Sequence, residues 1–574
     1  MITMILTHSH RFNYFLFLFI LLGISLSCIN FTANAYSGKI KSSIKTIGDK
    51  PTGLCFDGEN LWQADSAADK IYCINRYTGK IIKEIESPAY WPGGLAWDGK
   101  YLYNADFRGR TDKSEDKDGM IYQIDPNNGN IIHTMHSPTN CPRGLTFDGK
   151  YLWTVDDSKD MVIQFSKEDG TTINSFPSPS TDPQGITFDG KYLWITDRNK
   201  DEIYMVDPSN GYVIVILDSP GPFPYGITYM HPVPCGGDPR ISTRWMASPE
   251  ISGDLMVVDQ QTKKIYRISI RDGEKFYKKN TEIHKMTYHH NTTVYGPGKI
   301  LTLDVWFALP ENRVNQKLLS EPTYNIRPTN IITDRWGQRC AHYSFNNLLA
   351  GKKIELEVTS EIETSDVRYF IYPEKVGKLS EIPEDIKDEY LKDDEKYQIN
   401  DFLIKKTIKE VVGNEENPYW IMRDIHQYLI GHLHYLMDGA WDTAPTVLRH
   451  GHGSCSEYSF TFMSLCKAAG IPCRYVGATG YKKDYTYMDD VFHRWVEIYL
   501  PNYGWIPTDV THGDRESARD QAYPIGFISK KYIITTKSGG GSKTMGWTYN
   551  SNEDYTTEPK TNLNTTHYAD WTLD

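Results

Sequence analysis

The feature that most constrains the fold is a repeat in the first half of the chain. The motif Pro-x-Gly-Φ-x-Φ-Asp-Gly, in which Φ is apolar, begins at Pro51, Pro92, Pro142 and Pro183, and a degenerate copy begins at Pro224. Each full copy continues with an aromatic residue, an aspartate and two further short apolar runs. Four short strands in a period of about 40 residues are typical of a β-propeller blade.

The number of copies predicts a propeller of about five blades over 36–275, with six blades as the alternative. The fifth copy supplies only three strands, and residues 39–47 match the missing fourth strand. That segment is expected to close the ring, which would remove the two exposed edges of an open array. The recurring aspartates are interpreted as side chains that bind turns. The repeats resemble NHL-type propellers, which implies a protein or polymer ligand on the propeller.

The first 35 residues have the layout of a secretory signal peptide. Arg11 precedes an apolar run at 14–26, and a short polar segment ends in Ala35, after which cleavage is expected. The alternative is a lipoprotein lipidated at Cys28, although Ser25 stands where an aliphatic residue is usual. No later segment approaches 18 apolar residues, so no integral membrane segment is expected after cleavage. The protein is therefore predicted to be exported, to the periplasm or the extracellular space.

The pattern changes after the propeller, which predicts a multidomain chain. Longer alternating runs at 283–374 predict a small β-sandwich, and 375–537 predict an α+β domain. Residues 538–574 are polar and are expected to form a C-terminal tail. The net charge is −11, and the sequence has no Lys/Arg-rich block. A protein that binds nucleic acid electrostatically is therefore not expected. No metal or cofactor motif is recognised.

The residues best suited to chemistry begin with Cys455. Ser454 and Glu457 form the S-x-x-E capping box that starts a helix, so Cys455 occupies the first helical position. There the positive end of the helix and its unpaired amides favour a thiolate over a thiol. The alternative is a buried or disulfide-bonded cysteine, which is the common role of an exported cysteine.

Two alternating runs around a turn at 502–504 predict a hairpin that carries His493 and Asp509. A cysteine nucleophile needs a histidine to take its proton and a carboxylate or amide to hold that histidine. A simple register leaves Asp509 about three residues from His493, roughly 10 Å along a strand. A twist or a bulge near Pro507 is expected to close this gap. Taken separately, His493 could be a packing residue and Asp509 a turn residue.

Residues 419–511 resemble the transglutaminase-like core. The resemblance rests on the Gly-rich approach to Cys455, the segment from Leu465 to Arg474, and the motifs beginning at His493 and at Gly504. It implies a papain-like α+β domain with Cys455 as nucleophile, His493 as base and acid, and Asp509 orienting the histidine. The Cys455 amide is a candidate oxyanion donor. Trp441 is a candidate side-chain donor, with packing as the alternative.

The resemblance leaves several functions open. Hydrolysis of an amide bond in a protein or peptide substrate, through a thioester, is the leading hypothesis, and transamidation at the same intermediate is the second. Peptide:N-glycanase activity is a minor third, because the zinc-binding Cys pairs of that family are absent. A propeller that binds partners beside a non-catalytic domain is a different class. Catalysis in the propeller is disfavoured because its repeats contain almost no histidine.

Overall fold

The computed structural model describes residues 35–106, 119–231, 253–437, 439–482 and 488–573. These residues form a β-propeller, a two-sheet sandwich and an α+β domain, as the sequence predicts. The predicted signal peptide up to residue 34 and the alternative lipidation site Cys28 lie outside the described residues. Within the described ranges, no helix is both long enough and apolar enough to cross a membrane.

The propeller consists of five four-stranded antiparallel sheets, of which four are each formed by one copy of the repeat and the fifth by the degenerate copy and a strand that precedes the first copy. The first two blades contain the strands Pro51–Phe56, Leu61–Asp65, Lys70–Ile74 and Ile81–Glu86, then Pro92–Trp97, Leu102–Asp106, Met120–Ile124 and Ile131–His136. The next two contain Pro142–Phe147, Leu152–Asp156, Met161–Phe165 and Thr172–Pro177, then Pro183–Phe188, Leu193–Asp197, Glu202–Val206 and Val213–Asp218. The fifth contains Pro224–Met230, Asp254–Asp259, Lys264–Ser269 and Ile40–Lys45.

The fifth blade closes the ring with a strand from the other end of the propeller. Ile40–Lys45 pairs antiparallel with Lys264–Ser269, with Ile44 opposite Ile265. The predicted closing strand is therefore confirmed. Because the first and last strands of the propeller share one sheet, neither is left as a free edge.

The glycine of the repeated motif is explained by the close approach of neighbouring blades. A Cβ atom on Gly94 would lie 2.3 Å from the amide nitrogen of Leu145 in the next blade. A Cβ atom on Gly226 in the fifth blade would lie 2.3 Å from the carbonyl oxygen of Thr52 in the first. Any larger residue would force the innermost strands apart, so this glycine sets how tightly the ring closes.

The recurring aspartates bind turns, as the sequence predicts. Asp65 is fully buried at the end of its strand, and its carboxylate accepts hydrogen bonds from the amides of Lys50 and Ala68, both at 2.8 Å. The aspartate inside the motif has a second role, since the Asp57 carboxylate accepts a 2.8 Å hydrogen bond from the indole nitrogen of Trp62. Both contacts hold backbone segments between strands and leave the carboxylates occupied.

The sandwich is built from two sheets whose inner faces share one core. One sheet runs in the order Gln316–Leu318, Lys353–Tyr369, Phe276–Tyr295, Asn562–Leu573 and Met488–Asp489, and Thr323–Tyr324 and Phe527–Ile528 also pair with its second strand. The other runs Asn330–Thr333, Arg339–Leu349, Lys299–Ala308 and Ser551–Thr557. Met286, Phe307, Tyr343 and Leu356 pack together between the sheets.

The prediction of a polar tail at 538–574 is wrong. Ser551–Thr557 pairs with Lys299–Ala308, and Asn562–Leu573 pairs with Phe276–Tyr295 over most of its length. Alternate residues of the last strand face inward, and Leu563, Ala569 and Trp571 are buried in the sandwich core. The chain therefore returns to complete a domain that it began more than 250 residues earlier.

The α+β domain packs helices against a four-stranded sheet. The strand order is Gly504–Thr508, His493–Leu500, Cys473–Gly480 and Tyr532–Ser538, and a separate parallel pair joins His434–Tyr435 to His452–Gly453. The α-helices are Glu384–Tyr390, Phe402–Val411, Pro418–His432, Ala444–His450, Cys455–Ala468, Val510–Gly513 and Ala518–Ala522, preceded by 3-10 turns at Pro373–Lys375 and Leu379–Glu381. Tyr458, Phe462, Ile425 and Ile498 are buried in its core.

Buried ion pairs join the propeller to the rest of the chain. The Arg519 guanidinium binds both carboxylate oxygens of Glu202 in the fourth blade, at 2.6 and 2.9 Å. Arg271, just beyond the propeller, binds Asp189 at 2.6 Å and Glu374 at 2.7 Å. The fourth blade thus packs beside the segment that follows Asp509, where the candidate site lies.

Candidate active site

The helix Cys455–Ala468, called the cysteine helix below, begins as the capping motif predicts. One carboxylate oxygen of Glu457 accepts a 2.7 Å hydrogen bond from the Ser454 amide, and the other accepts one from the Asp442 amide at 3.1 Å. Cys455 is the first residue of the helix and is only 6% exposed. Its thiol therefore sits at the positive end of a buried helix, next to amides that lack helical partners.

The two glycines before Cys455 have structural roles. Gly451 ends the preceding helix with a left-handed φ of 76°, a conformation that glycine adopts without strain. A Cβ atom on Gly453 would lie 2.6 Å from the Cβ atom of Glu457, so a larger residue there would disturb the start of the cysteine helix. These glycines thus position the cysteine, a simpler explanation than close approach of a substrate backbone.

His493 begins the strand His493–Leu500, and Asp509 directly follows the neighbouring strand Gly504–Thr508. The two side chains meet, with His493 Nε2 2.6 Å from Asp509 Oδ2. The strands pair without a register shift, and Val496 lies opposite Thr508. The predicted bulge near Pro507 is therefore wrong. This register leaves His493 and Asp509 as diagonal neighbours two residues apart, a span that long side chains bridge.

The structure thus brings the three predicted residues together. His493 lies opposite Ala478 in the sheet, and its strand packs on the cysteine helix. Since Nε2 faces Asp509, Nδ1 is the ring nitrogen left for Cys455, and the thiol and the imidazole lie close enough to shift each other's pKa. The backbone amide of Arg494 also acts to lower the pKa of Cys455.

The electrostatics of the site favour separated charges. Burial acts to raise the pKa of the Cys455 thiol, but the hydrogen bond and charge of His493, with the Arg494 amide, lower that pKa below its ordinary value. Burial acts to lower the pKa of His493, but the Asp509 carboxylate and the Cys455 sulfur raise it. Two imidazoles hold the pKa of Asp509 well below its usual range despite burial. The arrangement favours a thiolate beside an imidazolium.

The second imidazole belongs to His512, which the sequence interpretation missed. Asp509 is the N-cap of the short helix Val510–Gly513, and its Oδ1 accepts the His512 amide at 3.1 Å. Asp509 Oδ2 also contacts His512 Nδ1 at 2.5 Å. The signal was present as a histidine three residues after an aspartate at a helix start, where such side chains fold back onto the cap.

Tyr549 was also missed, because it lies in the segment predicted as a tail. Its hydroxyl donates a 3.5 Å hydrogen bond to the Phe492 carbonyl, and it lies close enough to Cys455 for the charge on the sulfur to act on its pKa. Burial, and then the charge on the Cys455 sulfur, raise the pKa of Tyr549, so the phenol keeps its proton and can donate. Within the sequence, only the aromatic pair at 547 and 549 in an otherwise polar segment could have indicated a packed position.

Arg494, next to His493, is fully buried and fills a cage of aromatic rings. Its guanidinium carbon lies 5.0 Å from the ring centre of Trp441 and 4.4 Å from those of Tyr475 and Tyr549. Trp441 also stacks on Tyr549 with ring centres 6.2 Å apart. Trp441 therefore makes the packing contacts that one alternative expects, and its role as a side-chain donor stays a prediction.

A cavity of about 380 Å³ opens beside the His493–Asp509 pair. Its lining includes Asp509 and His512, as well as Trp495 and Tyr532, whose rings lie 5.7 and 5.6 Å from the His493 ring. The volume falls in the range of sites that bind small molecules or peptide side chains. A ligand in this cavity would contact Asp509 and His512 and the two rings that pack against His493.

Two groups in the described residues contain ligand atoms close enough to hold a metal ion, namely His493, Asp509 and His512, and Cys141, Asp156 and Asp157. In the first group, Asp509 Oδ2 is already hydrogen-bonded to both imidazoles. In the second, Asp156 accepts hydrogen bonds from the Ser158 amide and hydroxyl, both at 2.7 Å. Hydrogen bonding within the protein accounts for both groups.

Comparisons with known proteins agree with the local resemblance. The family model described as the transglutaminase-like superfamily matches residues 405–510. An uncharacterized protein of Haemophilus influenzae is 25% identical over 266 residues, which are 40% of this chain and 69% of that protein. Similar solved structures include a candidate cysteine protease from Cytophaga hutchinsonii, with a TM-score of 0.37 and 14% identity over 51% of this chain and 92% of that one.

Another similar solved structure is the glutaminyl cyclase of Myxococcus xanthus, with a TM-score of 0.33 and 12% identity over 41% of this chain and 97% of that one. Likenesses this weak carry no information on activity.

Proposed function

Because residues 405–510 form a transglutaminase-like domain, we propose that this protein is a cysteine enzyme that acts on amide bonds through a thioester intermediate. Cys455 is the nucleophile, His493 is the base and acid, and Asp509 orients the histidine. The observation that carries the proposal is the 2.6 Å contact between His493 Nε2 and Asp509 Oδ2, which leaves Nδ1 free to serve the buried thiol. Nothing in the packing of a core requires that trio.

The first half of the reaction transfers the acyl group to sulfur. The Cys455 thiolate attacks the amide carbonyl carbon, and the carbonyl electrons move onto oxygen. His493 then gives its Nδ1 proton to the leaving nitrogen as the C–N bond breaks, which releases an amine and leaves a thioester on Cys455. Asp509 keeps the imidazole in one orientation and stabilises its charge, and it retains no proton itself.

The second half removes the acyl group. Water loses a proton to His493 as it attacks the thioester, and the carboxylic acid leaves as the thiolate returns. The Cys455 amide and the Tyr549 hydroxyl are the candidate donors to the oxygen that carries negative charge in both halves, since Tyr549 lies near enough to Cys455 for the charge on the sulfur to act on its pKa. An amine that enters in place of water would give transamidation with the same residues.

Hydrolysis of a peptide or isopeptide bond remains the leading reaction, with protein cross-linking as the alternative. The two share the thioester and differ only in whether water or an amine reaches it. The cavity of about 380 Å³ next to His493 could admit either nucleophile. We extend the proposal to an exported enzyme whose propeller binds a protein or polymer partner and presents it to the cysteine, since ion pairs fix the fourth blade beside the site.

A peptide mixture tests the reaction across many candidate substrates at once. The full-length protein and its Cys455→Ala variant are incubated with the mixture, with and without a primary amine, and products are identified by mass spectrometry. New carboxyl ends that depend on Cys455 would support hydrolysis, and incorporated amine would support transamidation. Identical products from both proteins would refute the enzyme proposal. Removal of the propeller should spare short peptides and abolish action on a natural protein partner.

A further inference from the structure

We propose that the cavity beside Asp509 and His512 is a subsite for the amine component of the substrate, and that it selects an aromatic or large aliphatic residue accompanied by a carboxylate. The inference rests on the proposed function, because it names the part of the amide that this site receives. The amine component is the portion that leaves when the thioester forms, or the portion that attacks it in transamidation.

The part of the substrate that would enter the cavity follows from where His493 delivers its proton. His493 delivers its proton to the leaving nitrogen, so the leaving portion must lie on the imidazole side of the sulfur. The cavity adjoins the imidazole through Trp495 and Tyr532, whose rings lie 5.7 and 5.6 Å from the His493 ring, so a leaving portion that extends past the imidazole would enter it. The acyl portion bonds to Cys455 itself, which does not line the cavity.

The walls of the cavity are aromatic and apolar. Trp495 and Ile528 are buried, and Tyr532, Tyr523 and Phe527 are half-buried with parts of their rings facing the cavity. Trp495 and Tyr532 pack at 5.3 Å between ring centres, and Tyr523 and Phe527 at 4.7 Å. Two aromatic pairs in the lining of one cavity favour a planar or branched apolar side chain, because such contacts add to the gain from burial.

The charges around the cavity favour an anion. Arg515 and Lys531 are exposed at its rim, and among the described residues neither forms an ion pair with an acidic side chain. Arg368 lies behind the aromatic wall, 4.2 Å from the ring centre of Tyr523, and is buried. Within the described part of the chain Arg368 forms no ion pair at salt-bridge distance; its guanidinium donates to the Tyr523 carbonyl at 2.7 Å, and Glu202 acts on it only at longer range.

The acidic residues of the lining are already occupied. Asp520 is paired with Arg519 at 2.8 Å, and Asp509 contacts two imidazoles. The balance therefore leaves positive charge at the mouth of an apolar pocket. An aromatic side chain inserted between the walls would place a carboxylate on the same or the next residue near Lys531 and Arg515.

Binding can be measured without turnover by using the full-length Cys455→Ala protein. The probe for isothermal titration is phenylalanyl-glutamate with a free amino group. It is compared with phenylalanyl-glutamate amide, phenylalanyl-glutamine, phenylalanyl-glutamine amide and alanyl-glutamate. The set distinguishes the contribution of the apolar side chain to affinity from that of the carboxylate. It also distinguishes a side-chain carboxylate from a terminal one. Peptides with either carboxylate are expected to bind about fivefold tighter than phenylalanyl-glutamine amide, and loss of the phenyl group should weaken binding about tenfold.

Charge reversal tests the origin of the preference. In the combined variant Arg515→Glu and Lys531→Glu, the preference for a carboxylate should disappear or reverse, while binding of phenylalanyl-glutamine amide should be retained. Lys352→Glu, which reverses an exposed lysine in the sandwich, is the matched control and should leave all affinities unchanged. Equal binding of all five peptides, or a carboxylate preference that survives the double reversal, would overturn the inference.

The peptide mixture then separates this inference from the proposed function. With active protein, residues on the amine side of cleaved bonds should be enriched in aromatic or large aliphatic types with a nearby carboxylate. Cleavage without this enrichment would overturn the subsite and leave the enzyme proposal intact. If the peptides bind with the expected affinities but no cleavage depends on Cys455, the binding site would stand and the enzyme proposal would be refuted.

Discussion

Buried aspartates occur in two regions of this molecule, and their surroundings differ in kind. In the propeller, Asp65 ends a strand and accepts hydrogen bonds from backbone amides at 2.8 Å. In the α+β domain, Asp509 also follows a strand and also accepts an amide, from His512 at 3.1 Å. The difference is its second oxygen, which contacts the imidazoles of His493 and His512.

That difference separates a structural role from a chemical one. A backbone amide cannot lose its proton, so a carboxylate that binds only amides fixes a turn and does nothing more. An imidazole changes its charge near neutral pH, so a carboxylate that binds one controls where a proton resides. Residue type and position at a strand end are shared by Asp65 and Asp509. The partner therefore decides what each aspartate can do.

Removal of the imidazole between Asp509 and the sulfur should have the largest effect. In His493→Gln, turnover should fall on the order of 10⁴-fold, because the base and the acid are both lost. The pH dependence of Cys455 alkylation by iodoacetamide gives a second measurement. In the unmodified protein the pKa of Cys455 is lowered, so alkylation should already be fast below the ordinary titration range of a thiol.

Without His493, burial is the largest remaining influence on the thiol, and burial raises its pKa. The rise of alkylation with pH should then move to higher pH than in the unmodified protein. The matched variant His512→Gln removes the imidazole that does not contact sulfur and should keep the original profile. A profile that shifts equally in both variants would contradict the assignment of His493.

Asp509→Asn addresses the comparison directly, since it keeps the shape of the side chain and removes its charge. We expect turnover to fall about 10²-fold, less than in serine enzymes, because a cysteine thiol ionises more readily than a hydroxyl. The pKa of His493 should fall, since the Asp509 charge raises it. Histidine titration by NMR would measure that shift. An unchanged His493 pKa would show that Asp509 has only a structural role, like the aspartates of the propeller.

How far the sequence predicts the molecule depends on how local the determining contacts are. The blades follow from the repeat, since each pairs strands that are adjacent in sequence, and the missing strand of the fifth blade indicated residues 39–47. The glycine at each repeat was visible as a pattern. Its reason, a 2.3 Å approach of backbones from neighbouring blades, was not. That contact exists only once the ring has closed.

The final strands show the opposite case. Ser551–Thr557 and Asn562–Leu573 carry few apolar residues, and their partner strands lie more than 240 residues earlier. A local window therefore contains only a polar segment. The error at 538–574 had a functional consequence, because it removed Tyr549 from consideration. Cys455, His493 and Asp509 were accessible because each stands at a recognisable start or end of an element, whereas Tyr549 reaches the site through tertiary packing alone.

Tyr549→Phe sharpens the comparison by removing one hydroxyl beside the sulfur while leaving both histidines on Asp509. A hydrogen bond to a charged group is worth about 1.5–3 kcal/mol, so turnover should fall by roughly 10- to 150-fold. The loss should appear in kcat, because the donor acts on charge that develops during the reaction. Tyr555→Phe, which removes an exposed hydroxyl in the sandwich, is the control. A loss confined to KM would show that Tyr549 only binds substrate.

Asp65→Ala should have the smallest effect on turnover and tests the other side of the comparison. The change leaves the amides of Lys50 and Ala68 without their acceptor inside the protein, so the free energy of unfolding of the propeller should fall by about 1–3 kcal/mol. Urea denaturation followed by tryptophan fluorescence would measure it, with the exposed Asp49→Ala as control. Turnover of short peptides per folded molecule should not change, because Asp65 binds no group that exchanges protons with the site. If turnover fell with stability intact, the distinction between amide-bound and imidazole-bound aspartates would fail.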